Sequence, residues 1–303
     1  MAKALDSLTV ALALDCGCEL GEGIVWCDRT GTAYWTDVHR CTLWQWQVAD
    51  QDVRRWSLPD RLGSLALCES GRLLLALAKG LYLAELPVSE SAPILRLLTA
   101  VDADKSQLRT NDGRADRAGK FVFGTLNEHP ARAPLGSFYQ FSMRYGLRRL
   151  DLGGVAIPNS ICFSVDGRTL YYCDSLSAQI MACTYDSESA DVSDVRVFAE
   201  IGEGGPDGSV IDADGYLWNA QWGGFRLVRY DPNGMVDRQI ELPVPQPSCL
   251  AFGGENFQEI FITSAREGLS AEELERWPGS GGVFRAQADG LRGLPESRFD
   301  DAA

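Results

Sequence analysis

The sequence predicts an all-β chain folded as one six-bladed β-propeller spanning residues 1–303. Three observations carry that reading. A two-strand motif recurs six times, its turns are spaced by a nearly constant period, and helical periodicity is almost absent.

The motif is an apolar strand, a turn holding Asp or Gly, and a strand rich in aromatic or branched residues. It occupies residues 24–35 around Gly31, 65–75 around Gly71 and 116–123 around Gly119. It returns at 161–172 around Gly167, 210–218 around Gly215 and, more weakly, 250–261 around Asn256. Successive turn positions 31, 71, 119, 167, 215 and 256 differ by 40, 48, 48, 48 and 41. Paired short strands at a period of about 40 to 50 residues signify propeller blades. A third strand follows the motif, as at 42–46, 138–141 and 226–230. The run 8–14 has no blade of its own and is expected to close the ring as the outer strand of the last blade. Ser270 and Glu273 fit a capping box, which predicts one short helix over 270–276.

Composition narrows the function. A net charge of −14, without clustered Lys and Arg, excludes a nucleic-acid binder. No stretch approaches membrane-spanning length, and the apolar run 8–14 is too short for a secretory leader. A cytoplasmic protein, monomeric or a small homo-oligomer, is expected. The nine cysteines are odd in number and irregular in spacing, and most sit in apolar strands, so structural free thiols are expected. Cys16 and Cys18 are close enough to share a metal, but no second pair completes a thiolate site.

The candidate site follows from the blade register. Stepping back eight residues from each turn position reaches the entry to an innermost strand. With a one-residue correction in blade one, the equivalent slots are Glu22, Gly63, Asn111, Asn159, Asp207 and Ser248. Such slots ring one mouth of the central channel. Oxygen donors without sulfur or imidazole suit a hard divalent cation. The same side chains would also suit strand-end caps and channel water. A serine triad is excluded: the only histidines are His39 and His129, and no Gly-x-Ser-x-Gly elbow exists. His39 is read as a structural or rim residue.

Several blocks then carry a resemblance. They are Leu20-Gly-Glu-Gly-Ile-Val-Trp26, Arg109-Thr-Asn-Asp-Gly-Arg114, Phe123-Gly-Thr-Leu126, Ile157-Pro-Asn-Ser160 and Gly205-Pro-Asp-Gly-Ser209. In that order they resemble the SMP-30/gluconolactonase/luciferin-regenerating family. Asp214-Gly-Tyr-Leu-Trp218, Trp222-Gly-Gly224 and the segment 263–270 look like its bacterial sugar-lactonase branch. The likeness runs from about residue 15 to 288. It implies a hydrolase opening a small aldono- or aldarolactone, such as arabinono-, xylono-, glucono-, galactaro- or glucarolactone. It implies one divalent cation (Ca, Mg, Mn, Zn or Fe) on Glu22, Asn159 and Asp207, with substrate contacts from Arg109 and Asn111. A further contact is implied from the loop 127–134, at Glu128 or His129, with Arg132 as another rim residue. Asp207 is the expected general base. For a dicarboxylic substrate, Arg109, Arg132 or Arg226 would serve. The competing readings are a non-catalytic propeller that binds a protein or ligand, and another metal-dependent ester hydrolase on the same site.

Overall fold

The computed structural model describes residues 9–302 except 88–90 and 289. Six four-stranded antiparallel sheets form six blades around a central channel. The innermost strands are Gly21–Cys27, Leu62–Leu67, Leu108–Ala115, Pro158–Phe163, Gly205–Ile211 and Pro247–Gly253. Each blade has one strand more than the three that the sequence pattern marks. The outer edge strands, such as Val192–Glu200, face solvent on much of their surface and lose the apolar signal. The last blade is closed by the N-terminal strand Val10–Leu14, which pairs with Val283–Gln287. Residues 1–8, the start of the anticipated closing run among them, lie outside the described residues.

The turn chemistry explains why the repeat is legible. Gly31, Gly71, Gly119, Gly167 and Gly215 all adopt φ between 64° and 89°, the left-handed region that glycine enters without penalty. In the sixth blade the left-handed residues are Gly254 and Phe257 rather than Asn256, which accounts for the weaker match there. Aspartates brace several turns; Asp212 Oδ1 accepts from the Asp214 and Tyr216 amides, both at 3.0 Å. The one α-helix among the described residues, Ala271–Arg276, has the capping box anticipated at Ser270 and Glu273. Among the described residues, no helix is long and apolar enough to cross a membrane.

Among the described residues the buried apolar side chains form separate clusters that fill gaps between neighbouring blades. Leu65, Leu67 and Leu75 of the second blade meet Val25 and Leu43 of the first. Trp218 and Leu227 of the fifth meet Leu250 and Ile262 of the sixth. The seam between last and first blades holds Trp26 stacked on Phe261, with centroids 5.0 Å apart. Blade-to-blade packing therefore fixes where each innermost strand enters the channel.

Residues 293–301 pack against the other ends of the innermost strands. Phe299 is fully buried beside Phe141 and bridges to Cys68, and Glu296 pairs with Arg114 at 3.0 Å. The Asp301 carboxylate, with no solvent exposure, accepts from Ser70 and from Arg72 at 2.7 Å. Burial pushes its pKa up, but the Ser70 hydrogen bonds and the Arg72 charge outweigh burial and hold it below the ordinary value. A depressed carboxyl contributes stability above its unfolded pKa and loses that contribution as pH falls through the folded one. Asp301→Asn is therefore expected to cost about 1–3 kcal/mol at neutral pH. The gap should close on acidification below the ordinary carboxylate value. Thermal melts of both proteins at neutral and acid pH check this, and a pH-independent gap would reject it.

Candidate metal and substrate site

Each innermost strand breaks register at or around the slot marked in the sequence. The irregularities lie between Glu22 and Val25, Leu62 and Ser64, and Thr110 and Gly113. They recur between Asn159 and Cys162, Pro206 and Ser209, and Pro247 and Leu250. A bulge re-aims a side chain out of the pleat. Six equivalent bulges thus mark six equivalent positions near one end of the channel.

Four of the six present a polar group there. Glu22, Asn111, Asn159 and Asp207 line one cavity of about 530 Å³. The other two do not. Gly63 is pressed against the neighbouring blade, where an added Cβ would lie 2.6 Å from the Thr110 carbonyl oxygen. Ser248 is fully buried and donates to the Gly21 carbonyl, so the expected ring hydroxyl is spent on a blade seam.

A hydrogen-bonded chain orders the amides. Arg109 Nη1 donates to the Thr110 carbonyl and to Asn111 Oδ1, both at 2.8 Å. Asn111 Nδ2 donates to Asn159 Oδ1 at 3.0 Å, and Asn159 Nδ2 donates to Ser175 Oγ at 2.9 Å. Asn159 Oδ1 is left with acceptor capacity toward the cavity. The Asp207 carbonyl is clamped by Ser160 Oγ at 2.9 Å and Asn219 Nδ2 at 3.0 Å. Its side chain is different: Oδ1 is buried without a hydrogen-bond partner.

Electrostatics sharpen the contrast. Burial, then the charge of Asp112, pushes the Glu22 pKa up to about 8. Burial, then Glu22, raises Asp207 well above its ordinary value. A buried carboxylate with a bare oxygen (Asp207), a half-buried one (Glu22) and an amide oxygen on the same cavity fit a hard divalent cation. Oxygen is the only donor type in the set. Among the described residues, no group of three His, Cys, Asp or Glu could hold a metal ion.

The opposite wall is cationic but largely compensated. Arg109 is 5% exposed, and burial lowers its pKa to about 10 against the opposing pull of Glu128. Its Nε faces Glu128 Oε1 at 3.4 Å. Glu128 is also gripped through both oxygens by Arg61. Burial pushes Glu128 up, but the Arg61 hydrogen bond and the Arg109 charge hold its carboxyl below the ordinary value. Arg132 reaches the cavity and donates to the Asn127 carbonyl at 2.8 Å. His129 is exposed, accepts from the Ala131 amide at 3.2 Å and does not line the cavity. Arg226 also lies off it, donating to Gln221 Oε1 at 2.7 Å.

Sequence reasoning missed four groups. Asp112, inside the third bulge, caps the Ile161 amide at 2.9 Å and adds negative charge beneath the site. Glu267 lines the rim and pairs with His39 Nε2 at 3.0 Å, which holds its carboxyl below the ordinary value. Gln246 supports that segment by donating to the Glu267 carbonyl at 3.1 Å. Trp222 supplies an apolar wall. Only Asp112 had a local signal, the Asn-Asp-Gly run of a bulge; Trp222 ends the strand Leu217–Trp222, and Gln246 and Glu267 come from loops outside the repeat.

The chain is 42% identical over 285 residues to an L-arabinolactonase from Azospirillum brasilense, with 92% of each covered. It is 32% identical to regucalcin from Macaca fascicularis, covering 96% of this chain and 98% of that one. Among solved structures it superimposes on a calcium-binding protein, regucalcin, from Agrobacterium tumefaciens. The TM-score is 0.88 at 30% identity, and 97% of both chains is covered. The SMP-30/gluconolactonase/LRE-like region matches residues 20–266, and the chain belongs to that family.

Proposed function

We infer that the protein is a carboxylic ester hydrolase that opens a sugar lactone to its free acid. In detail, we propose a neutral aldonolactone as substrate and a divalent cation on Glu22, Asn159 and Asp207. The observation that carries the site assignment is the bare, buried Oδ1 of Asp207, a residue that lines one cavity with Glu22. A protein- or ligand-binding scaffold has no need to set a buried carboxylate with a bare oxygen on the same cavity as a second acid. The membership above and the 42% identical L-arabinolactonase support the lactone class.

The bound cation supplies charge that polarises the lactone carbonyl and makes water more acidic. The chain does the rest. Asp207, clamped through its backbone, presents a carboxylate that takes the proton of the attacking water. Arg109 and Asn111, locked to each other, orient ring hydroxyls on one side. Glu128, committed to Arg61 and Arg109, holds Arg109 in place and is poorly suited as a base. Leu126, Ile157 and Trp222 cover the apolar face of a small ring.

Charge selects the substrate. The cavity holds Glu22, Asp207, Glu128 and Glu267 against Arg109 and Arg132. Arg109 already answers Glu128, so the one free carboxylate of an aldarolactone has Arg132 to meet among the lining cations. A neutral lactone pays no such penalty, and the net charge of −14 assists departure of the anionic product. A pH-indicator screen of freshly prepared aldono- and aldarolactones, with each of Ca, Mg, Mn, Zn and Fe, tests the reading. L-arabinolactone, the substrate in the relative's name, is the first to try. Turnover of aldarolactones above all aldonolactones would reject the charge argument. Turnover of simple esters with no lactone preference would favour a general ester hydrolase.

A further inference from the structure

We propose that Cys16 and Cys18 form a redox-active dithiol, which a low-molecular-weight disulfide such as oxidised glutathione converts to an intrachain disulfide that is felt at the lactone cavity. The two sulfurs are 3.5 Å apart, with the Cys18 thiol donating to Cys16 Sγ. Among the described residues, no other pair of cysteine sulfurs is in hydrogen-bond contact. The contact is built by the backbone. Gly17 adopts φ 57°, and an added Cβ there would lie 2.9 Å from the Arg266 guanidinium. Glycine therefore allows the left-handed turn that sets the two side chains beside each other. The Cys18 amide is anchored on the Gly281 carbonyl at 2.8 Å, and the Cys16 thiol donates to that same oxygen at 3.2 Å.

The two thiols are unequal in the way exchange requires. Cys16 is partly accessible, whereas Cys18 is 1% exposed. The hydrogen bond from Cys18 favours the Cys16 thiolate and lowers its pKa, while the same contact and burial raise that of Cys18. Cys16 is then the attacking group. Its thiolate attacks one sulfur of the oxidised disulfide, forms a mixed disulfide and expels one thiolate. The Cys18 sulfur, losing its proton, attacks Cys16 Sγ and expels the second. Two electrons pass to the oxidant, which leaves as two thiols, and one S–S bond of about 2.05 Å replaces a 3.5 Å contact.

The segment is wired to the cavity. The Glu19 carbonyl, next to Cys18, accepts from the Arg266 amide at 3.0 Å and the Glu267 amide at 2.9 Å. Leu20 bridges to Ala265 and lines the cavity, as does Glu267. Cys18 also packs on Gly21, where an added Cβ would lie 3.2 Å from Cys18 Cβ. Drawing the sulfurs together must move this packed segment or the Gly281 carbonyl that both cysteines hold.

Equilibrating the whole protein in glutathione buffers of graded redox poise, quenching with acid and alkylating free thiols tests the dithiol by peptide mass. The expected result is loss of a pair of hydrogens confined to the peptide containing residues 16–18, reversible by excess reduced glutathione. Full alkylation of both thiols in oxidising buffer, or a stable glutathione adduct on Cys16 of the unaltered chain, would overturn it. Cys18→Ser should instead accumulate the adduct on Cys16, and an adduct-free variant would reject the order of attack. The coupling to the cavity rests on the lactonase reading. There, oxidation is expected to lower kcat/KM by roughly tenfold, as sub-ångström to ångström displacements at a site do, and Cys16→Ser should be indifferent to redox poise. Unchanged kinetics in fully oxidised protein would overturn the coupling. The mass measurement needs no turnover, so failure of the lactonase assignment leaves it decisive for the dithiol.

Discussion

Asp207→Asn is expected to lower kcat by about 10³-fold while leaving much of the metal affinity in place. The amide keeps an oxygen for a cation but cannot accept a proton at neutral pH. The substitution is nearly isosteric, and the backbone is independently held. Ser160 and Asn219 grip the Asp207 carbonyl rather than its side chain. Loss of turnover would therefore reflect chemistry rather than a collapsed bulge. An effect confined to kcat, with KM little changed, marks an interaction made only in the transition state. Metal content per chain, measured on the same sample, separates loss of the base from loss of the ion. Near-normal turnover with metal retained would place the base elsewhere. Glu128 is then the acid to examine, although Arg61 and Arg109 already occupy it.

The reach of the sequence follows the reach of the repeat. The eight-residue step from turn glycine to slot works because each turn needs a left-handed residue and each innermost strand bulges at the same depth. That regularity brought Glu22, Asn111, Asn159 and Asp207 to one cavity before any coordinates. It could not tell which slots face the channel. Gly63 and Ser248 hold equivalent positions, yet one is closed by the neighbouring strand and the other by a seam hydrogen bond. Steric approach between blades has no local signature. The rim was harder still. His39, Gln246 and Glu267 lie in loops whose lengths do not repeat, Trp222 ends the strand Leu217–Trp222, and only the closed ring brings them together. Glu128 and His129 are neighbours in one loop, but only Glu128 lines the cavity, because the chain turns outward after it. The fourth strand of each blade is poorly marked because a half-solvated edge needs no apolar alternation.

Removing divalent ions is expected to abolish most lactone turnover and to lower thermal stability, both restored by adding one suitable cation. Without a cation, burial and repulsion from neighbouring acids, Asp112 among them, disfavour the charged forms of half-buried Glu22 and buried Asp207. A cation held by both carboxylates replaces that repulsion with attraction and gives the bare Asp207 Oδ1 its partner. Anything that binds only the folded chain stabilises it by mass action, about 2.7 kcal/mol at a free concentration 100 times the dissociation constant. The melting temperature should therefore climb with added metal and level off. Glu22→Gln should shift that titration to higher metal concentration, because the amide keeps the oxygen and loses the charge. The stabilisation must depend on the ligands rather than on ionic strength, since salt at physiological strength screens over about 8 Å and leaves buried pairs largely untouched. Monovalent salt at matched ionic strength is thus the control. Equal melting temperatures with chelator and with saturating Ca, Mg, Mn, Zn or Fe, together with unchanged turnover, would reject the metal site. Turnover that survives chelation while the melting temperature falls would instead make the ion a structural brace between blades one, four and five.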